Sequence, residues 1–240
     1  MSKLYKYVVA LVVAITFGAT TSSIAFEGFS FGVIGNSATF DTSGSETEGS
    51  TETGSDKEEN SGSHSHDVEY PALFLEATTG TAGGFGMTVG IEYIPGSTSI
   101  GAKSRTDTTS DAKEASQDDG TYTAKAEVDN HVTFYLEPTY MMNETFGLYG
   151  KLGATHVNIK SLESIDVGAD SSAYGDKGAW GGMYGIGIKA VHSSGLFFKL
   201  EGMKTEYSEI KLKSTSGSKA KNIKATPEQT AARIAIGYNF

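Results

Sequence analysis

The sequence predicts an all-β fold: a closed, antiparallel, up-and-down β-barrel of about eight strands that spans a membrane. Three observations predict it. Apolar and polar residues alternate with period two in short segments, the connections between segments alternate short and long, and charges within the segments fall on the face opposite the apolar one. Period-two alternation is the strand signature, and the other two features set the strands in a bilayer.

The amino terminus stands apart from this pattern. Lys3 and Lys6 precede an apolar run over residues 8–17, interrupted only by Thr16, and Ser23-Ile24-Ala25 places small side chains at the positions a signal peptidase inspects. This is the layout of a secretory signal, with cleavage expected after Ala25. The run falls short of the roughly 20 apolar residues a spanning helix requires. Residues 1–25 are therefore expected to be a removed signal peptide and residues 26–240 the barrel.

Composition narrows the function classes. The chain has no cysteine, so an exported domain of this kind stands without disulfides. Loss of Lys3 and Lys6 leaves 17 bases against 29 acids, a net charge of −12. Nucleic-acid binding needs a basic footprint and is not expected. The 30 glycines, 12 phenylalanines and 12 tyrosines suit a tightly curved sheet, with glycine where neighbours crowd and aromatics where the sheet meets an apolar surround.

The alternation places strands at residues 26–40, 69–79, 85–94, 131–141, 146–160, 178–192, 196–208 and 229–240. Most reach the 9–11 or so residues that a tilted transmembrane strand needs. Residues 80–84, 142–145 and 193–195 form tight turns, whereas residues 41–68, 95–130, 161–177 and 209–228 form long polar loops. That asymmetry predicts short periplasmic turns and long extracellular loops. Residues 122–128, the last part of the second loop, alternate and could extend the fourth strand beyond the membrane; parts of the second and fourth loops could also pair as a further hairpin, giving ten strands.

One face of these segments carries Leu73, Leu75, Ala77, Met87, Val89, Ile91, Tyr93, Val132, Phe134, Leu136, Leu148, Gly150 and Leu152. It continues with Tyr184, Ile186, Ile188, Leu196, Phe198, Leu200, Ile234, Ile236 and Tyr238, and none of these positions is charged. The other face carries Glu76, Glu92, Glu137 and Glu201 together with Lys151, Lys189, Lys199 and Arg233. A soluble barrel would have the reverse polarity. So few strands enclose only enough room for side chains, and unpaired ions there would be heavily penalised. The eight charges are expected to pair across a plugged lumen; the alternative is a charged constriction in a narrow, porin-like channel for small solutes.

The carboxyl terminus alternates Ile234, Ile236, Tyr238 and Phe240 outward. This ending resembles the C-terminal strand of bacterial outer-membrane barrels, in which a terminal Phe and alternating apolar residues are read by the barrel-assembly machinery. With the strand count, loop asymmetry and Tyr238-Asn239-Phe240 ending, the mature chain resembles the small outer-membrane barrel superfamily: the OmpA-type transmembrane domain, OmpX-like and opacity-protein-like barrels. The resemblance implies residence in the Gram-negative outer membrane, contact with its lipid and lipopolysaccharide, and Ile236, Tyr238 and Phe240 as the assembly signal. No periplasmic domain follows Phe240 in this sequence, so wall tethering is not implied. Aromatic girdles are expected from Phe29, Phe85, Tyr140, Phe146, Tyr238 and Phe240 at the turn end and from Tyr70, Tyr93, Trp180 and Tyr207 at the loop end.

The loops carry no clear chemistry. The first, with eight acids against Lys57, is expected to stay mobile for want of apolar surface to bury. His64-Ser65-His66-Asp67 lacks a third spaced ligand, and Asp107, Asp111, Asp118 and Asp119 lack EF-hand spacing, so neither metal nor cofactor is expected. The fourth-loop lysines 211, 213, 219, 221 and 224 could meet lipopolysaccharide phosphates or pair with the acidic loops, and the latter is favoured. There is no Gly-x-Ser-x-Gly elbow, no His-Glu-x-x-His, and no catalytic residue is assigned. The expected function is a structural and surface-interaction barrel with an unidentified surface ligand. A soluble, lipocalin-like barrel would instead leave cells without detergent. The protein is expected in a washed outer-membrane fraction, with gel mobility in detergent that changes on boiling; recovery from the soluble periplasm without a shift would reverse the assignment of faces.

Overall fold

The computed structural model describes residues 27–48, 58–80, 84–107, 120–165, 174–213 and 221–240. The proposed signal peptide lies outside them. Eight long strands form one antiparallel meander: β1 (Gly28–Glu48), β2 (Glu58–Thr78), β3 (Phe85–Asp107), β4 (Gly120–Met141), β5 (Phe146–Ile165), β6 (Lys177–Val191), β7 (Leu196–Tyr207) and β9 (Lys221–Asn239). A four-residue strand, β8 (Ile210–Lys213), lies against the outer flank of β9. Pairing of β1 with β9, from Ser30↔Asn239 to Glu48↔Lys221, closes the sheet. Closure leaves no sheet edge in the spanning region, which hydrocarbon would not tolerate because it offers backbone groups no partner.

The turns at one end are tight, as the sequence predicts. Asn143 Oδ1 accepts hydrogen bonds from the backbone N–H of Thr145 at 2.9 Å and of Phe146 at 2.8 Å, so the side chain itself closes the β4–β5 turn. Thr79 N–H donates to Met87 C=O at 2.9 Å across the β2–β3 turn, whose residues 81–83 lie outside the described set.

Strand length is where the structure departs from expectation. Residues 41–48 and 58–68, read as a mobile loop, are a β-ladder in full register from Asp41↔Ser65 to Glu48↔Glu58. β4 extends through residues 122–128 as the alternation there suggests, but β3 also extends, pairing with it out to Asp107↔Gly120, and residues 221–228 extend β9. The physical reason lies below them. Each extension continues a strand already held in the barrel, so each added pair fixes two residues without a new nucleation cost, and Ser, Thr and Gly supply no steric objection to an extended backbone.

These extensions do not continue the barrel as a closed tube. β2 pairs with β3 only from Leu73↔Tyr93 to Thr78↔Thr88, and β5 pairs with β6 only as far as Ile159↔Lys177. Beyond those points two separate sheets rise from the loop end, β8-β9-β1-β2 and β3-β4-β5. Their inner faces meet over a shared apolar cap. Phe40, Ile94, Val157, Ile159 and Ile210 are buried in one cluster, with Val68, Ile100, Val128 and Leu212 packed against it. At the rim, Lys160 Nζ sits 2.6 Å from Asp129, and this hydrogen-bonded ammonium holds the carboxyl below its ordinary range.

The lower half of the barrel has a fully apolar exterior. Among the described residues, every exposed large hydrophobic lies in the segments 29–33, 73–75, 85–93, 134–152, 184–188, 198–200 and 234–240, the strand portions nearest the turns. Ile186 and Ile234 are 70% and 64% exposed, so none of the described residues covers them. A continuous band of this kind is the outer surface of a transmembrane barrel. Leu136 is the exception on that face: paired with Val89 and Leu152, it is covered by its neighbours and only 3% exposed.

The interior is packed by rings seated on glycine. A Cβ at Gly90 would lie 2.3 Å from Tyr135 Cζ, and one at Gly187 would lie 2.4 Å from Tyr149 Cζ. Only glycine lets these two phenol rings cross the lumen at the level of the charges. Gly90→Val is expected to lower unfolding free energy by about 1–3 kcal/mol through overpacking, measured by urea titration in lipid vesicles. An unchanged midpoint would show that Tyr135 swings aside without cost.

Candidate functional site

The charged face of the strands becomes the middle of the lumen. Glu76 on β2, Glu92 on β3, Glu137 on β4, Lys151 on β5, Lys189 on β6, Lys199 and Glu201 on β7, and Arg233 on β9 all point inward, each no more than 3% exposed. Seven of the eight barrel strands contribute, and only β1 adds no charge. Period-two alternation puts them there: each outward apolar neighbour that faces lipid sends the next residue in.

The eight groups form one connected set. Glu137 is its hub, with Lys199 Nζ at 2.8 Å, Lys189 Nζ at 3.0 Å and Lys151 Nζ at 3.7 Å. Lys199 also donates to Glu76. Lys151 donates to Glu201 at 2.6 Å, and Arg233 Nε lies 3.2 Å from the other oxygen of Glu201. Arg233 ends the chain of contacts by donating through Nη2 to Glu92. Tyr135 donates its hydroxyl to Glu76 at 2.7 Å and Tyr149 its hydroxyl to Glu201 at 2.9 Å, while Lys151 Nζ stands 4.1 Å above the Tyr135 ring. Four acids, four bases and two phenols thus meet within one buried set, in which Glu76 Oε2 alone among the fully buried carboxylate oxygens has neither a hydrogen bond nor an ion pair.

Above and below, the lumen stays filled. Toward the turns lie Phe74 and Phe197, ring centroids 6.0 Å apart, and the Thr78–Thr88 hydroxyl pair at 2.9 Å. Toward the loops, His131 Nε2 hydrogen-bonds Tyr207 Oη at 3.0 Å and Thr155 Oγ1 at 3.0 Å, and Gln229 donates to Tyr70 Oη. The apolar cap lies beyond them. This arrangement is a brace: it ties distant strands together across the lumen.

Two members of the expected outer girdle belong to this interior. Tyr70 and Tyr207 are 9% and 6% exposed and point inward, because 70 shares its parity with Glu76 and 207 with Glu201. Tyr93 and Trp180 keep the outward parity. His131 sits in the interior too. A lone histidine at a strand end gave no sign of partners on β5 and β7, which are near only after closure. The His64 and His66 rings share one face of β2, centroids 6.3 Å apart, while Asp67 points the other way and accepts from Thr39 Oγ1 at 2.7 Å. Among the described residues no three metal-ligating side chains come together. The terminal residues Ile236, Tyr238 and Phe240 face outward, 39%, 44% and 68% exposed.

No family model matches the sequence, and no curated protein matches it. Similar solved structures include Ail, the attachment invasion locus protein of Yersinia pestis, at 14% identity and TM-score 0.33, covering 86% of this chain and 99% of that one. A FadL homologue from Pseudomonas aeruginosa is 10% identical with TM-score 0.30, covering 89% of this chain and 90% of that one. The translocator domain of the autotransporter NalP from Neisseria meningitidis is 11% identical with TM-score 0.23, covering 98% and 94%. Similarity at this level adds no argument; the fold rests on the strand pairing and closure described above.

Removing one partner from a buried ion pair costs about 3–5 kcal/mol, because the other charge is left uncompensated. Glu137→Gln, which strips three lysines of a shared counter-charge, is expected to destabilise the barrel by that amount in urea titration. The balanced double variant Lys189→Met/Glu137→Gln is expected to recover part of the loss. Equal destabilisation by the single and double variants would show that Lys189 does not depend on Glu137.

Proposed function

We propose that this chain is a Gram-negative outer-membrane barrel, closed to solutes, that acts at the cell surface by binding an extended polypeptide. The observation that carries this reading is the slit between the two raised sheets. Over residues 58–72 of β2 and 94–107 of β3 the strands run alongside without a ladder, and the His64 imidazole reaches across to Gly101. Backbone N–H and C=O groups along both edges are left outside the β2–β3 ladder, and an extended segment can pair with them by strand addition once the two edges part. The edges are rich in Ser, Gly and Thr, which leave the backbone accessible.

In this reading the parts have separate tasks. The signal peptide directs export, Ile236, Tyr238 and Phe240 present the assembly signal, and lipid with lipopolysaccharide surrounds the belt. The lumen brace holds the barrel rigid, and the sheets at the loop end face outward because long connections lie outside and short ones in the periplasm. Catalysis forms no part of the proposal.

Ser43 and Ser63 are directly paired, so the upper hairpin can be trimmed by joining them through a two-residue turn. Cells bearing the trimmed protein are expected to lose attachment to one another and to epithelial monolayers, while the heat-dependent gel shift persists. Attachment unchanged by the trimming would sink the surface reading. In planar bilayers the intact barrel is expected to give no stable conductance steps; large, stable steps would show an open lumen and return the narrow-channel alternative.

A further inference from the structure

Above the apolar belt, the outward face of β9 and its neighbours changes character twice. Strand pairing fixes which outward side chains lie level with one another. Leu200 and Ile234 still belong to the belt, and the next polar step pairs Thr230 with Lys204. One step higher, Asp41, Glu228 and Glu206 form an acidic row across β1, β9 and β7. Above that row the acids stop. Ser63, Ser43 and Thr226 lie level, and then Ser61, Ser45, Lys224 and Lys211. Two successive rows of hydroxyls and lysines without a carboxylate stand out in a chain of 29 acids and 19 bases.

The lysines of this strip are poorly matched. Lys211 Nζ lies 2.9 Å from Glu209, but among the described residues no acid stands within ion-pair distance of Lys213 or Lys224. Elsewhere at the loop end, Lys125 meets Glu127 at 2.6 Å, Lys160 meets Asp129 at 2.6 Å and Lys204 meets Glu228 at 3.1 Å. Lys211 and Lys224 are moreover direct cross-strand partners, and like charges placed so destabilise a sheet. The short strand β8 brings them together and adds Lys213 on the same exposed face. An anion seated among the three turns that repulsion into attraction.

Height decides what carries the anion. Lys224 is six residues beyond Thr230, about 20 Å along an antiparallel strand and about 15 Å above the belt at the usual barrel tilt. The headgroup zone on each side of a bilayer is only about 5–8 Å deep, so a phospholipid phosphate stays below the lysines. On the loop side of an outer membrane, the anionic groups at that level are the phosphates and carboxylated sugars of lipopolysaccharide. We infer that Lys211, Lys213 and Lys224, with the hydroxyls of Ser43, Ser45 and Thr226 beside them, bind the phosphorylated inner saccharide of an adjacent lipopolysaccharide. Each lysine offers phosphate a point charge, and the hydroxyls donate to phosphate oxygens and exchange hydrogen bonds with sugar hydroxyls. The acidic row marks the lower border, where Lys204 lies 3.1 Å from Glu228 and 3.7 Å from Glu206. The inference rests on the outer-membrane placement proposed above, and the heat-dependent gel shift of each protein reports that placement separately.

The test is native mass spectrometry of the full barrel in zwitterionic detergent without divalent cations, offered two probes. One is lipopolysaccharide truncated after its phosphorylated inner saccharide; the other is lipid A, which ends at the membrane surface. The wild-type protein is expected to retain the first about tenfold better than the second. Lys211→Gln/Lys224→Gln is expected to remove that preference, since tenfold is about 1.4 kcal/mol shared between two exposed ion pairs. Lys224→Gln alone is expected to remove part of it, and both variants to keep the gel shift, because a like-charge pair holds nothing together. Lys125→Gln, at an exposed lysine already matched by Glu127, is expected to behave as wild type. Equal preference in wild type and the double variant would overturn the site. So would an equal loss in Lys125→Gln, which would make net charge the cause. Retention that appears only with calcium and survives the double variant would move the contact to Asp41, Glu228 and Glu206 and refute the lysine assignment. A wild-type protein without a gel shift would fail the membrane placement instead.

Discussion

Everything in this protein depends on how eight buried charges share the middle of one lumen. Each ion taken out of water costs several kcal/mol even after relaxation, and Glu137, Lys151 and Lys189 are each at most 1% exposed. The cost is offset only where every charge meets an opposite one, so the positions of seven strands must be right at once. Glu92 and Arg233 are 141 residues apart in sequence and in contact in space. In the observed register each of the eight charges has an opposite charge within ion-pair distance.

The same constraint explains the layering around it. Rings of Tyr135 and Tyr149 enter the lumen over Gly90 and Gly187 and donate to Glu76 and Glu201. They supply hydrogen bonds to carboxylates where water would otherwise be needed. Beyond the charges, a polar tier around His131 and Tyr207 grades into the apolar cap of Phe40, Ile94 and Ile210. The cap lets the barrel end cleanly: once its interior is sealed, the strands above need not close, and they separate into two sheets.

Separation of the sheets links the brace to the surface. The closed barrel is the base for extensions made largely of Ser, Thr, Gly and acidic residues, which could not fold alone. Because β1 and β2 leave the barrel already in register, their pairing continues from Phe40↔His66 to Glu48↔Glu58. The slit between β2 and β3 is the consequence of Pro95 and Gly96, where the β3–β4 register shifts and β3 leaves its neighbour on the other side.

Parity, charge sorting and loop asymmetry were legible in the sequence because strand alternation is a local property: residues 76 and 201 face inward for the same reason that 75 and 200 face out. The meander followed from connection lengths, and the apolar exterior from the charge-free face. Tyr70 and Tyr207 were readable by that same parity, though their place at strand ends suggested a girdle. What the sequence could not supply was anything set by strands meeting far from their covalent neighbours. Which lysines share Glu137, and that His131 lies against Tyr207, depend on closure of β1 onto β9. The ladder that joins residues 41–48 to 58–65 was hidden for a related reason, since its residues have no β-pattern of their own and extend only because the barrel beneath holds the strands in line. Local alternation determined which side of the wall each residue occupies; only closure decided what it touches there.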